Sequence, residues 1–164
     1  MNAPKVSILA TALLLITLTA GWALADGQVQ LRSVAEVETS STNTEGQKVV
    51  QRVPAAKVLP GQEVLFTTYY ENTSAKAAEN AVITNPIPEH MLYKADSASG
   101  AGTRITFSVD GGKTYNTPAK LMIKDAAGRE FPVRPKDYTH IRWTFEHPLP
   151  PGAKGEVSFR AILK

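Results

Sequence analysis

The chain has no cysteine among its 164 residues. That excludes a disulfide framework, thiolate catalysis and thiolate metal sites, and leaves the hydrophobic core to hold the fold together. Histidine is scarce: His90, His140 and His147 are the only three. None lies at a zinc-type spacing, and a metal site needs two or three ligands that converge. An excess of one charge is lacking too. Lys and Arg number 18 against 15 Asp and Glu, with no run of like charge, which gives no support to a nucleic-acid or membrane-surface binder. Neither a Gly-x-Ser-x-Gly elbow nor a phosphate-cradling glycine loop occurs. Glu89 and Glu146 have no visible partner for paired-carboxylate chemistry.

Long apolar runs are confined to one place, Val6 to Ala20, where only Ser and Thr interrupt. Lys5 precedes the run and Ala23-Leu24-Ala25 follows it. A basic start, an apolar stretch and a small-x-small site predict a signal peptide, residues 1–25, cut after Ala25. The run is shorter than the ~20 apolar residues of a spanning helix, so stable membrane insertion is not expected. Residues 26–164 then carry seventeen Lys and Arg against fifteen Asp and Glu, and have the size of one domain. The chain is expected to be exported, to the periplasm or beyond, and to carry no lipid-modified cysteine.

What is present is two-residue alternation. Val29, Leu31, Ala35 and Val37 share one face of a first strand and Gln30, Arg32, Glu36 and Glu38 the other. Turn residues Thr42 to Gly46 lead to a second extended run, Lys48 to Val53, and the two read as a hairpin. Further strands are predicted at Glu63–Tyr70, Asn80–Thr84, Met91–Ala95, Arg104–Val109, Leu121–Ile123, His140–Glu146 and Glu156–Leu163. Ala75 to Glu79 reads as a loop and Ser97 to Gly102 as a small, flexible stretch. Asp110-Gly111 between extended runs predicts a tight hairpin, and Pro132 and Pro135 predict irregular chain. Ile141, Trp143 and Phe145 face one way, so Trp143 is predicted core. Some eight or nine short strands separated by turn residues predict an all-β, immunoglobulin-like antiparallel β-sandwich. Residues 26–57 form an N-terminal hairpin or arm, and 58–164 the sandwich.

The frame Leu59-Pro60-Gly61, Tyr69 to Ser74, Ala78 to Pro88, Ile141-Arg142-Trp143 and Pro151-Gly152 resembles the conserved repeat domain (DUF11) of bacterial and archaeal envelope proteins. The resemblance spans about Val58 to Leu163. Two positions depart from it: Asn85 stands where an Asp is usual, and Ser74 where a Gly is usual. Asp110 to Tyr115 is similar to small, single-domain, signal-bearing members. The resemblance implies an Ig-like domain outside the cytoplasm, with no shared catalytic activity. Asn72 is expected to cap a strand end.

A structural or protein-binding module of the bacterial envelope is therefore expected, not an enzyme, with no cofactor or metal. Its partners would be other envelope or surface proteins, or itself. A second reading is a filament subunit that exchanges its N-terminal arm with a neighbour's open sheet edge. A third is a periplasmic metal carrier, resting on His90 beside Met91, with Met122 elsewhere, donors that suit copper. Three exposed histidines outweigh it.

Overall fold

Strand formation here follows the alternation of apolar and polar side chains, and the computed structural model describes residues 29–164. The signal-peptide reading of residues 1–25 lies outside the described residues. Eleven strands run in order: β1 (Val29–Thr42), β2 (Lys48–Pro54), β3 (Glu63–Asn72), β4 (Val82–Pro86), β5 (Met91–Tyr93), β6 (Ser99–Gly100), β7 (Thr103–Ser108), β8 (Met122–Lys124), β9 (Glu130–Pro132), β10 (His140–Phe145) and β11 (Lys154–Leu163). The larger sheet has the order β2-β1-β3-β11-β5, with β6 also on β11. The smaller is β4-β10-β7, and β8 pairs only with β9. All pairings are antiparallel. The architecture is the β-sandwich expected from the sequence.

The core lies between the two sheets. Ile141, Trp143 and Phe145 of β10 are buried, as are Val157, Phe159 and Ala161 of β11 and Val64 and Phe66 of β3. The register sets Phe66 opposite Phe159, and their rings stack with centroids 4.9 Å apart. A second aromatic group, Tyr93, Phe107 and Tyr138, closes one end, with centroids 4.6 to 5.7 Å apart. Such aromatic pairs add to plain area burial through their ring quadrupoles.

Glycine matters most where two strands crowd. Gly155 of β11 pairs with Tyr70 of β3, and the Tyr70 ring lies over it. A Cβ at residue 155 would fall on the Tyr70 hydroxyl and within 2.6 Å of Cζ. Tyr70 also meets Phe145 edge-on, centroids 4.9 Å apart. Gly155→Ala is expected to push Tyr70 off Phe145 and to cost about 1–3 kcal/mol, as overpacking does. Urea unfolding of the variant against the parent measures it.

Four details differ from the sequence reading. Glu130–Pro132 forms β9 despite its proline. The bond from Val133 N to Leu121 O (3.1 Å) makes residues 121 and 133 a hydrogen-bonded pair. The alternation therefore turns residue 132 away from β8, and Pro132 loses no ladder bond. Ser99–Gly100, expected to be flexible, is a short strand on β11. Asp110-Gly111 is not the centre of a two-residue hairpin. The chain returns to β7 only at Asn116, which exchanges two bonds with Phe107 (2.9 and 3.0 Å). The Asp110 carboxylate widens the turn by accepting bonds from Lys113 N, Thr114 N and Thr114 Oγ1. Lastly, Leu31 is 39% exposed although it shares the inward register of β1. It lies beyond the end of β2, which stops opposite Glu36. β1 itself pairs with β3 over Val29–Glu36, so the N-terminal segment is a strand of the larger sheet.

Candidate functional site

The inward turn of Ile141, Trp143 and Phe145 sends their neighbours Arg142 and Thr144 to the outer face of the smaller sheet. β7 does the same with Arg104 and Thr106. Register sets Arg142 between Thr84 of β4 and Thr106 of β7, and Thr144 opposite Arg104. The Phe107–Asn116 bridge then brings Tyr115 over this face. The Arg142 guanidinium lies 3.6 Å from the Tyr115 ring centroid, and its Nε donates to Thr84 Oγ1 at 3.3 Å. Both contacts restrain a side chain that is half-buried, and the ring attracts the cation through its quadrupole.

Between β7, β10 and the following loop lies an open cavity of about 310 Å³, lined by Arg104, Thr106, Tyr115, Lys120, Arg142 and Thr144 among others. No carboxylate and no histidine lines it. Arg104, Lys120 and Arg142 take part in none of the ion pairs among the described residues. Three cations therefore stand around hydroxyls with no acid in the lining to neutralise them.

The opposite outer face has the contrary character. Arg160 bonds Glu38 at 2.8 Å and Glu63 at 2.7 Å, and Lys94 bonds Glu63 at 2.6 Å. Lys94 foremost, then Arg160, holds the Glu63 carboxyl below its ordinary range. Arg160 does the same for Glu38. The Arg160 guanidinium is raised further by both carboxylates. Within this cluster each charge is matched by another, so it ties β1, β3, β11 and the end of β5 together. A third surface is the β8–β9 ribbon, where Met122, Ile123 and Phe131 are exposed and Arg129 lies 5.7 Å from the Phe131 ring.

The residues weighed for metal or catalysis are scattered. His90 is exposed in a left-handed turn at φ 63°, and the neighbouring Met91 packs against the core. Met122 is on the ribbon. His147 is exposed; His140 is half-buried, and burial lowers its pKa while Asp110 opposes that shift. Among the described residues no three His, Asp or Glu side chains gather as metal ligands. Glu89 and Glu146 are both exposed. Asp110 spends its oxygens on its own loop. Bonds from Thr114, first its hydroxyl and then its N–H, and from Ser108 hold its carboxyl well below the usual range.

These depressed carboxyls fix a sign. A group whose folded pKa is lowered contributes stability above its unfolded pKa, and that contribution is lost as pH falls through the folded value. The melting temperature is therefore expected to hold from neutral pH down to about pH 4, the ordinary carboxyl range, and to fall below it. Asp110→Asn should flatten that acid limb, which a pH series of thermal melts checks.

Residues of the frame that carries the resemblance have structural positions. Gly61 and Gly152 sit in turns with φ of 86° and 74°. Asn85 donates to Thr68 Oγ1 at 2.8 Å, and Thr68 Oγ1 also bonds Ser33 (2.9 Å). An ionised Asp could only accept here, so Thr68 would have to donate to it; Asn85 instead leaves the Thr68 hydroxyl hydrogen free for another acceptor. Comparison with family models, curated proteins and solved structures gives no match to this chain.

Proposed function

We propose that this chain is an exported, non-catalytic β-sandwich module of the bacterial envelope, a small member of the family its frame resembles. It binds a partner protein through the outer face of its three-stranded sheet. The signal-like residues 1–25 support export. The observation that carries the binding reading is the unneutralised cation set, with Arg142 restrained by Tyr115 and Thr84. Side chains held in place before binding lose less entropy on association. The site presents a rigid guanidinium and hydroxyls, and no base beside a nucleophile, which suits recognition.

The test is site-directed photo-crosslinking in the exporting cell. A photoreactive side chain replacing Thr106, within the cavity, is expected to give an adduct of discrete mass that Arg104→Gln diminishes. One replacing Glu156, on the larger sheet, should give none. Adducts from Glu156 alone would place the binding face elsewhere.

A filament subunit is the second reading, and one observation favours it. Only Glu36–Thr42 of β1 pair with β2, so Val29–Ala35 present an open edge on the side away from β3. Light scattering on residues 26–164 separates the two. A single monomeric mass supports the module, and a ladder of oligomers supports the filament.

A further inference from the structure

We infer that the groove on the smaller sheet takes the carboxylates of an extended acidic segment, with acidic residues at alternate positions. The inference rests on the binding reading above and names its ligand.

The first argument is the shape of the donor. Nε of Arg142 is taken by Thr84 and its flat face by Tyr115. What remains is the pair of terminal nitrogens, a planar fork that matches a planar carboxylate. The second is the nature of the lining. Sites built for phosphate gather successive backbone N–H groups, commonly at glycines. This groove is lined by side chains of two strands and one loop, and no glycine is among them. The third is scale. The cations are three in number, on a chain with 18 basic and 15 acidic residues. A polyanion such as nucleic acid gains from many neutralised phosphates, and this surface supplies too few.

Spacing then selects an extended peptide. Arg142 stands opposite Thr106, and Arg104 is two residues away on the same strand. Diagonal neighbours on one sheet face lie roughly 7 Å apart. Alternate residues of an extended chain are separated by about the same distance, twice the rise of ~3.3 Å. Two acidic side chains pointing one way from such a segment reach both arginines together. Lys120 closes the rim, and the hydroxyls of Thr106 and Thr144 complete the oxygen and amide contacts.

The experiment is titration of isotope-labelled protein, residues 26–164, followed by the Arg142 Nε–H and Tyr115 ring resonances. Three probes are used: a peptide alternating serine and glutamate, an isomer with its glutamates in one block, and inorganic phosphate. The alternating peptide is expected to shift these resonances and to bind several-fold tighter than its isomer. Arg104→Gln and Arg142→Gln should each weaken it about tenfold, the worth of one charge-assisted fork. Arg32→Gln, on the other sheet beside Tyr69, should leave it unchanged. Should Arg142→Gln lower the melting temperature, the exposed Arg104 and Lys120 variants carry the test. Equal binding of the isomer overturns the spacing argument. Tighter binding of phosphate at the same resonances overturns the carboxylate. Silence of all three probes while the Thr106 crosslink persists overturns the ligand and leaves the binding reading standing. Silence of both removes the two together.

Discussion

Trp143→Ala is expected to lower the free energy of unfolding by about 3–5 kcal/mol, the range for aromatic truncation in a packed core. The side chain is 0% exposed and lies against Phe159, with centroids 6.3 Å apart. Its surroundings have no slack: a Cβ on Gly100 would sit 2.8 Å from Trp143 Cδ1 and 2.9 Å from Val157 Cγ1. Its Nε1–H donates to Ser99 O at 3.0 Å. Ser99 belongs to β6, which pairs with β11, so one indole joins the two sheets by packing and by a hydrogen bond. Trp143→Phe separates these parts, restoring most of the bulk and leaving the Ser99 carbonyl without its donor. Chemical denaturation of the three proteins should rank them parent, Phe, Ala. A Trp143→Ala melt like the parent's would mean that the sheets do not depend on this contact.

Asn72 is the second. It is 0% exposed, and its amide ties two remote turns. Nδ2 donates to Lys76 O and Leu149 O, both at 2.8 Å, and to Pro150 O at 3.2 Å. Oδ1 accepts from Ser74 N at 3.0 Å and Ser74 Oγ at 2.8 Å. Asn72→Ala removes these bonds together, at a cost of about 2–4 kcal/mol, although Leu149 O and Pro150 O keep their bonds from Ala78 N and Ala153 N. Asn72→Asp should be worse at neutral pH, because it aims a carboxylate at three carbonyls. Burial and those carbonyls raise the folded pKa of the new acid. Its proton then keeps the folded state stable at low pH, and the loss sets in as pH rises above the ordinary carboxyl value near 4. Thermal melts of Asn72→Asp and the parent should therefore lie closest in acid and diverge toward pH 7. Parallel curves would mean that water reaches the site.

Alternation made most of this fold legible. The nine runs read from the sequence are all strands, and Trp143 is at the centre of the core. Where reading failed, the missing information was pairing. Pro132 looks like a strand breaker until its partner is known to be Met122. Asn72 reads as a local cap, and its bond to Ser74 N is that cap. Its reach to Leu149 and Pro150 spans more than seventy residues and leaves no local trace. The groove escaped for the same reason. Arg104 and Arg142 each stand on the polar side of a well-patterned strand. Only the β7–β10 register, with the turn that lays Tyr115 on Arg142, makes them one site. A Tyr soon after a loop beside an Arg-bearing strand is too common a pattern to have been singled out.

The last strand of the chain, β11, lies in the middle of the larger sheet, between β3 and β5. Residues 154–162 pair with 63–71, and Gly61 N bonds Leu163 O at 2.8 Å. During synthesis, that central place stays empty until residues 154–163 have left the ribosome. Until then β3 can pair with β1 alone and keeps its other edge open, and closure requires contacts between strands far apart in the sequence, the slowest kind of folding step. Under the proposed export, this delay keeps the chain from closing before it crosses the membrane. Removing β11, Lys154–Leu163, should take Val157, Phe159 and Ala161 out of the core and abolish the cooperative thermal transition.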